Sequence, residues 1–468
     1  MPECDLNPEF VASLTHPAFD GLARTLADTP ATLSVRLNPN KGLTPDHFAD
    51  AADTPVPWAA GGLYLKKRPS FTFDPALHQG AYYVQDAASM AAGTIIARLA
   101  DRLDNAPLTI IDACAAPGGK TLCIADAAPA GSMVVANEFD FRRAEILKEN
   151  VDKWGSPTPV VVSRGDTRRF RKLKAIADIA LVDAPCSGEG MMRKDATARS
   201  QWSPALVADC CCRQREILEN IWPAVRPGGF LVYSTCTFNL AENENLIGDF
   251  AADHDAEFVD LPPLPDTTGN SPVASLLPEV TALRFIPGKT RSEGLFISVI
   301  RKPGNQAGKT ADTPRKNKNT RKTPPIAGIS RPAAWIAGSD VEIIRRADTL
   351  HALPPAHIKT LQQLERELDI ISIGTEIATI KGNDFIPSQA LATSAIIAAD
   401  AFGRIETDTD TALAYLRRDT VTLPADAPAG FVMLTHRGLP LGFVKNLGNR
   451  CNNLYPQAWR IHSRPKPE

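Results

Sequence analysis

The chain has 468 residues, too many for one ordinary hydrophobic core, so length alone points to several domains. Its 44% hydrophobic and 22% charged residues exclude a disordered or fibrous protein, and a formal net charge of −2 means that any surface for a polyanion must be local. Nine scattered cysteines, with no CxxC pair and no His/Cys cluster at zinc spacing, exclude a disulfide framework and a structural metal site; they read as reduced thiols of a cytoplasmic protein that needs no metal.

The opening "MPECDLNPEF" carries acids where a signal peptide would have a basic head and an apolar run. No stretch reaches the roughly 18 consecutive apolar residues of a membrane span, so neither export nor anchoring is expected. Residues 1–103 read as a separate α+β region, with a helix over Pro8–Leu26, a strand at "TLSVRLN" and a looped stretch rich in Pro and aromatics from Pro55 to Pro75. Over 104–302, short β-branched runs bounded by turn residues predict strands at 108–112, 133–138, 159–163, 179–183 and 230–235. Helical patterns at Lys120–Ala127, Phe141–Trp154 and Ala205–Val225, the last closed by "RPGG", alternate with them. This alternation predicts an α/β fold with a parallel sheet covered on both faces, in which ligands gather beyond the carboxyl ends of the strands. Residues 303–330 lose their apolar content and fill with Lys, Arg, Asn, Thr and Pro, the composition of an exposed basic linker. After it, 331–404 read as mostly helical and 405–468 as a small β-rich module.

The first strand of the alternating region runs into "DACAAPGGKT" (112–121). A phosphate loop would need glycine five residues before Gly119, where Cys114 stands. Small residues and a Pro-Gly-Gly bend at a helix start still let backbone approach an adenosyl group, a carboxylate or a phosphate. The second strand ends in Glu138, close to the spacing of a ribose-binding carboxylate, and the third is followed by Asp166, within reach of an adenine amino group on the same rim.

The fourth strand delivers "LVDAPCSGEG", with Asp183 and Cys186, and the fifth delivers "FLVYSTCTF", with Cys236 just beyond its end. Two thiols and a carboxylate on adjacent strand ends beside an adenosyl cradle suit methylation at C5 of a pyrimidine. That carbon becomes nucleophilic only when a thiolate adds to C6 while an acid relieves charge at N3, and the C5 proton must afterwards leave. Asn239 and Glu242 in "NLAENE" form a capping box, and the helix start they mark is expected to favour a nearby thiolate. The "CCC" run at 210–212 sits in a helical pattern and reads as packing, and "DAPC" lacks the aromatic of amino methyltransferases.

These motifs resemble the NOL/NOP/Sun family of RNA cytosine-C5 methyltransferases: "DACAAPGGKT", "DAPCSGEGMMRKD" and "LVYSTCTFNLAENE" correspond to its cofactor loop, Pro-Cys motif and Thr-Cys motif, in order. The similarity extends to "SVRLNPNK", "GAYYVQDAASM" and "SEGLFISVIRK". "ALAYLRRDTV" and "PLGFVKNLGNRCNNLYPQAW" are similar to the PUA-like extension of the bacterial branch that modifies 16S ribosomal RNA. The resemblance implies a Rossmann-like class I methyltransferase sheet binding S-adenosylmethionine. Cys114, Ala115, Ala116, Pro117, Gly118, Gly119 and Lys120 would line the cofactor, Glu138 would take its ribose, Asp166 its adenine side, and Asp183 would lie between cofactor and base. It also implies that Cys236 is the nucleophile and Cys186 assists release; DNA cytosine-C5 methyltransferases use the Pro-Cys thiol to attack, but their Glu-Asn-Val partner motif is absent here.

The expected activity is methylation of a cytidine in 16S rRNA by a monomer acting on rRNA or the small ribosomal subunit. A transfer-RNA methyltransferase and a catalytically idle assembly factor are the alternatives. Arg36, Arg193, Lys194, Lys445, Arg450 and Arg460 are the candidate RNA contacts.

Overall fold

A computed structural model describes residues 6–261, 264–265, 270–304, 330–338 and 340–464. At its centre five parallel strands stand in the order Val225–Thr235, Ala177–Asp183, Thr109–Asp112, Met133–Glu138, Val160–Arg164. Every expected strand of the alternating region is present. The Val225–Thr235 strand begins five residues early and absorbs the "RPGG" expected to end the preceding helix, which stops at Ile221. Beyond it, Leu295–Arg301 and Ala282–Phe285 add antiparallel, which gives the sheet of a class I methyltransferase.

Val, Ile, Leu and Ala dominate the buried strand positions, most of them at 0% exposure on both faces, as a sheet sandwiched between helices demands. One face packs Ala87–Asp101, Gly119–Ala127 and Phe141–Trp154; the other packs Pro204–Ile221 and Leu246–Asp253.

The N-terminal region is α+β, with an antiparallel sheet ordered Ala52–Pro55, Gly62–Leu65, Ser34–Leu37, Tyr82–Val84. The helix expected over Pro8–Leu26 is instead broken into Pro8–Ser13, a 3₁₀ turn Pro17–Phe19 and Leu22–Asp28. Pro17 disfavours helical backbone at His16, and Gly21 adopts φ +78°, so the apolar periodicity survives while the axis does not. Within the looped stretch, Gly62–Leu65 is a buried strand.

The largest correction falls on 331–404. This segment carries more strand than helix, with an antiparallel sheet of Glu342–Arg346, Thr349–Leu353, Thr375–Lys381 and Asp384–Pro387. Its longest helix among the described residues is the amphipathic Ile358–Glu367. A further strand from this segment, Asp369–Ile373, pairs antiparallel with Val160–Arg164 and forms the end strand of the catalytic sheet. The last module has the expected β-rich character, with Gly403–Glu406, Gly430–His436, Leu439–Asn446 and Cys451–Asn453 in one sheet beside helix Thr409–Arg417. Most of the expected linker, 305–329, lies outside the described residues.

The segment after the linker is welded to the catalytic unit by more than strand pairing. Thr393 Oγ1 donates to the Asp152 carbonyl at 2.6 Å, Arg164 pairs with Asp369 at 2.6 Å, and Ala395 N donates to the Gly155 carbonyl at 3.1 Å. Gly155 ends the Phe141–Trp154 helix at φ +63°, and a Cβ there would lie 2.1 Å from the Thr393 carbonyl oxygen. Gly155→Ala is therefore expected to cost about 2 kcal/mol or more, combining left-handed strain with backbone overlap, measured by denaturant unfolding. A change below about 0.5 kcal/mol would mean the contact is not maintained in solution.

Candidate active site

The first strand ends in Asp112, and the chain turns through Ala113–Gly118 into the helix Gly119–Ala127. Gly118 sits at φ +117°, and a Cβ on Gly119 would press Gln85 and Tyr83 at 3.2 Å, so both glycines are needed where this loop meets the N-terminal region. Between the loop and that region lies a cavity of about 190 Å³. It is lined by Asp112, Cys114, Ala115, Ala116, Pro117, Gly119, Lys120 and Asp183, and from the N-terminal region by Tyr83, Val84, Gln85, Asp86 and Ser89.

Asp112 is fully buried. One carboxylate oxygen accepts from Thr121 Oγ1 at 2.7 Å, and the other, Oδ1, has no hydrogen-bond partner among the described residues. Burial pushes its carboxyl up to about 7, with the nearby Asp183 and Glu138 adding to the rise and Thr121 and Lys120 opposing it. An unpaired buried carboxylate on the wall of a small-residue cavity fits a cationic ligand group such as the ammonium of S-adenosylmethionine. The Cys114 thiol is pushed well above its ordinary value by burial and then by the Asp112, Asp183 and Glu138 carboxylates, so it lines the cavity as a neutral group.

Glu138 braces the loop: its carboxylate accepts from Ala116 N at 3.3 Å and Asp140 N at 2.9 Å. Asp166 caps the turn Thr167–Lys172 and is engaged by Arg168 at 2.7 Å, which holds its carboxyl below the usual range. Asp183 is fixed from two sides, by Lys120 Nζ at 2.7 Å and Ser234 Oγ at 2.6 Å. Burial disfavours the Lys120 charge, yet Asp183 outweighs it, with Cys236 and Asp112 contributing, and the ammonium is held above its ordinary value.

Asp183 and Ser234 are register partners on neighbouring parallel strands, so the two following loops start side by side. They bring Cys186 Sγ and Cys236 Sγ to 3.1 Å, both partly exposed. Each loop grips the other. Gly190 N donates to the Cys236 carbonyl at 2.7 Å, and the fully buried Glu189 accepts from Phe238 N at 2.6 Å, Asn239 N at 3.0 Å and Trp202 Nε1 at 2.9 Å. In return the buried Glu242 accepts from Ser187 N at 2.9 Å. Arg284, 1% exposed and paired with Glu244, donates to the Phe238 carbonyl at 2.8 Å.

The capping box at Asn239 and Glu242 is half present. Glu242 N donates to Asn239 Oδ1 at 2.8 Å, but the Asn239 N–H goes to Glu189, and the helix starts with a π turn over Ala241–Asn245. The sequence reading missed Glu189 and Gly190, although an acid between two glycines directly after Cys186 is unusual enough to have signalled a constrained loop. In the "CCC" run only Cys210 is buried; Cys211 is partly buried and Cys212 exposed.

Two of the expected RNA contacts are spent inside the protein. Arg36 is 4% exposed, ion-paired with Asp126 and stacked 4.4 Å from the Trp154 ring. Arg193 has a 6% exposed side chain, pairs with Glu293 at 2.6 Å and donates to Thr32 at 3.0 Å, joining the N-terminal region to the catalytic unit. Lys194, Arg450 and Arg460 are at the surface, and Lys445 is half-buried 3.9 Å from Asp384. Beside the cavity at Asp112, sharing Val84, Gln85 and Asp86, opens a cleft of about 810 Å³ lined by Lys66, Arg68, Lys194 and Arg291. The basic run "LKKRPS" was its sequence signal.

Among the described residues no group of three or more His, Cys, Asp or Glu could hold a metal ion, and no helix is long and apolar enough to cross a membrane. Residues 101–301 match the family described as 16S rRNA methyltransferase RsmB/F, 6–87 the N-terminal domain of 16S rRNA methyltransferase RsmF, and 402–461 the methyltransferase RsmF PUA domain. The chain is 31% identical to the ribosomal RNA small subunit methyltransferase F of Klebsiella pneumoniae, over 98% of this chain and 96% of that one. It is also 31% identical to that of an Enterobacter species, over 96% and 95%. A methyltransferase homologue from Pyrococcus horikoshii superposes with TM-score 0.51 at 26% identity, covering 62% of this chain and 92% of that one. NSun6 from the same organism shares the fold, with TM-score 0.51 at 19% identity, over 65% and 99%. The chain belongs to the RsmB/F family: it is an S-adenosylmethionine-dependent RNA cytosine-C5 methyltransferase with an RsmF-type N-terminal domain and a C-terminal PUA domain.

Proposed function

We propose that the protein methylates C5 of a cytidine in 16S rRNA through a covalent adduct between Cys236 and C6 of the base. The observation that carries this reading is the pair of thiols 3.1 Å apart on the loops that follow Asp183 and Ser234, with Asp183 itself lining a cavity suited to the cofactor. The 16S target rests on relatives named ribosomal RNA small subunit methyltransferase F that match along nearly the whole chain.

The roles divide as follows. Asp112, Gly119 and the Cys114–Pro117 segment hold the cofactor, with Glu138 toward its ribose and Asp166 toward the adenine. When bound, S-adenosylmethionine supplies an electrophilic methyl group. The Cys236 thiolate bonds to C6, and the C5=C6 electrons move onto the ring so that C5 becomes the nucleophile. Lys120 and Ser234 fix Asp183 between cavity and thiols, where it orients the base. After methylation Cys186 takes the C5 proton, the C5=C6 bond re-forms, and Cys236 leaves as a thiolate. RNA phosphates run through the cleft of Lys66, Arg68, Lys194 and Arg291, while Lys445, Arg450 and Arg460 offer charge on the PUA module. The flipped base costs a few kcal/mol of stacking that these contacts offset.

Cys236→Ala is expected to lower methylation of 16S rRNA by about 10³-fold or more and to form no denaturant-stable adduct. Cys186→Ala should form the adduct and accumulate it, seen as a protein band shifted by RNA on a denaturing gel. Opposite phenotypes would reverse the two roles.

A second prediction concerns Asp112. Below its raised value near 7 the carboxyl carries a proton, which must be released for it to pair with a cation. Affinity for S-adenosylmethionine should therefore fall as pH drops from 7 to 5, by up to about tenfold per unit, and Asp112→Asn should bind weakly with a flat profile. Calorimetric titration at both pH values checks this, and an equal slope in protein and variant would assign the pH dependence elsewhere.

A further inference from the structure

Glu242 is buried at 0% exposure between the two thiol loops and the helix Pro204–Ile221. Its Oε2 accepts from Ser187 N at 2.9 Å and Gln214 Nε2 at 2.7 Å; its Oε1 accepts from Asn239 Nδ2 at 2.7 Å and from Ser187 Oγ. Ser187 follows Cys186, and Gln214 also donates to the Pro185 carbonyl at 3.0 Å, so one carboxylate clamps both sides of that cysteine. Asn239 belongs to the loop of Cys236, and Ser187 Oγ meets Thr237 Oγ1 at 3.0 Å. Each of these donors is neutral. The nearby Glu244, by contrast, is neutralised by Arg284. Holding a buried carboxylate without a cation is costly, and burial raises its carboxyl above the ordinary value against the pull of the Ser187, Asn239 and Gln214 donors. Four converging donors need an acceptor on both atoms, which a carboxylate supplies and an amide does not, so the joint sets a negative charge against the loop of Cys186.

We propose that Glu242 is a positioning residue for the methylation reaction: its carboxylate ties the two cysteine loops together and, by its charge, divides the labour between the two sulfurs. This rests on the covalent reading above. The Cys186 thiol is pushed well above its ordinary value by its hydrogen bond to Cys236, then by burial, then by the charges of Cys236 and Glu242, with the Gly188 N–H opposing. In the free enzyme Cys186 therefore stays protonated beside Cys236 and does not compete for C6. Once the Cys236 sulfur is bonded to carbon its charge is gone, two of these influences vanish, and Cys186 can ionise. The Glu242 charge remains, which makes that thiolate a stronger base for the C5 proton and retains the proton afterwards.

The test is alkylation of the full-length protein by iodoacetamide at pH 8, with Cys186 and Cys236 followed separately by peptide mass spectrometry. In Glu242→Gln, Cys186 is expected to react about tenfold faster than in the native protein, while Cys236 changes by less than about twofold. Unchanged Cys186 reactivity in a variant that still melts cooperatively and binds S-adenosylmethionine would overturn the proposal. Should that variant not fold, Ser187→Ala keeps the charge and removes one donor. Cys186 should then stay slow while kcat falls several-fold at constant KM, and either a faster Cys186 or an unchanged kcat would overturn the proposal. Labelling uses no RNA. Failure of the native protein to form an adduct on RNA would thus count against the covalent reading alone.

Discussion

Two parallel strands lie next to each other, and the loops that leave them must pass close enough for two sulfur atoms to meet. The register pairing of Asp183 with Ser234 sets this up, since Cys186 and Cys236 then follow at similar distances from the sheet edge. Closing the gap takes residues without side chains. A Cβ on Gly190 would lie 2.7 Å from the Cys236 carbonyl oxygen, and one on Gly294 would lie 2.6 Å from the Phe238 ring. The buried glutamates at 189 and 242 then supply acceptors for backbone and side-chain donors that the irregular loops leave without partners. The chemistry at the site depends on this joint.

The N-terminal region and the segment after the linker are parts of the same machine. The cavity proposed for the cofactor has one wall from the loop Asp112–Lys120 and another from Tyr83, Val84, Gln85 and Asp86, so the N-terminal sheet helps to define it. Arg193, Glu293 and Thr32 lock that sheet in place, using a guanidinium whose position in the motif suggested RNA. On the opposite edge, Asp369–Ile373 covers the Val160–Arg164 strand and becomes the outermost strand of the catalytic sheet, so the segment after the linker is built into that sheet.

The catalytic sheet was legible because its strands are short, continuous and β-branched, and because each ends in a polar residue where the ligand side begins. The cofactor loop and the two thiols followed from those strand ends. Three things were not legible. The segment 331–404 hid its strands because Ile343, Ile344, Ile371 and Ser372 alternate poorly, while the amphipathic Ile358–Glu367 helix gave the only strong period. Arg36 and Arg193 could not be told from surface cations, since a buried ion pair is defined by partners 90 and 100 residues away. Glu189 and Glu242 were invisible as a clasp for the same reason: each acts across about 50 residues of chain, on a loop of the other strand.

The central claim is that the sulfur after the fifth strand, and not the one after the fourth, bonds to the base. RNA carrying 5-fluorocytidine at the target position cannot lose its C5 substituent as a proton, so the enzyme remains attached to it. Digestion of that complex and mass spectrometry of the nucleotide-bearing peptide should find the link on Cys236. A link on Cys186, or no linked peptide from an enzyme that methylates the unmodified RNA, would contradict the account.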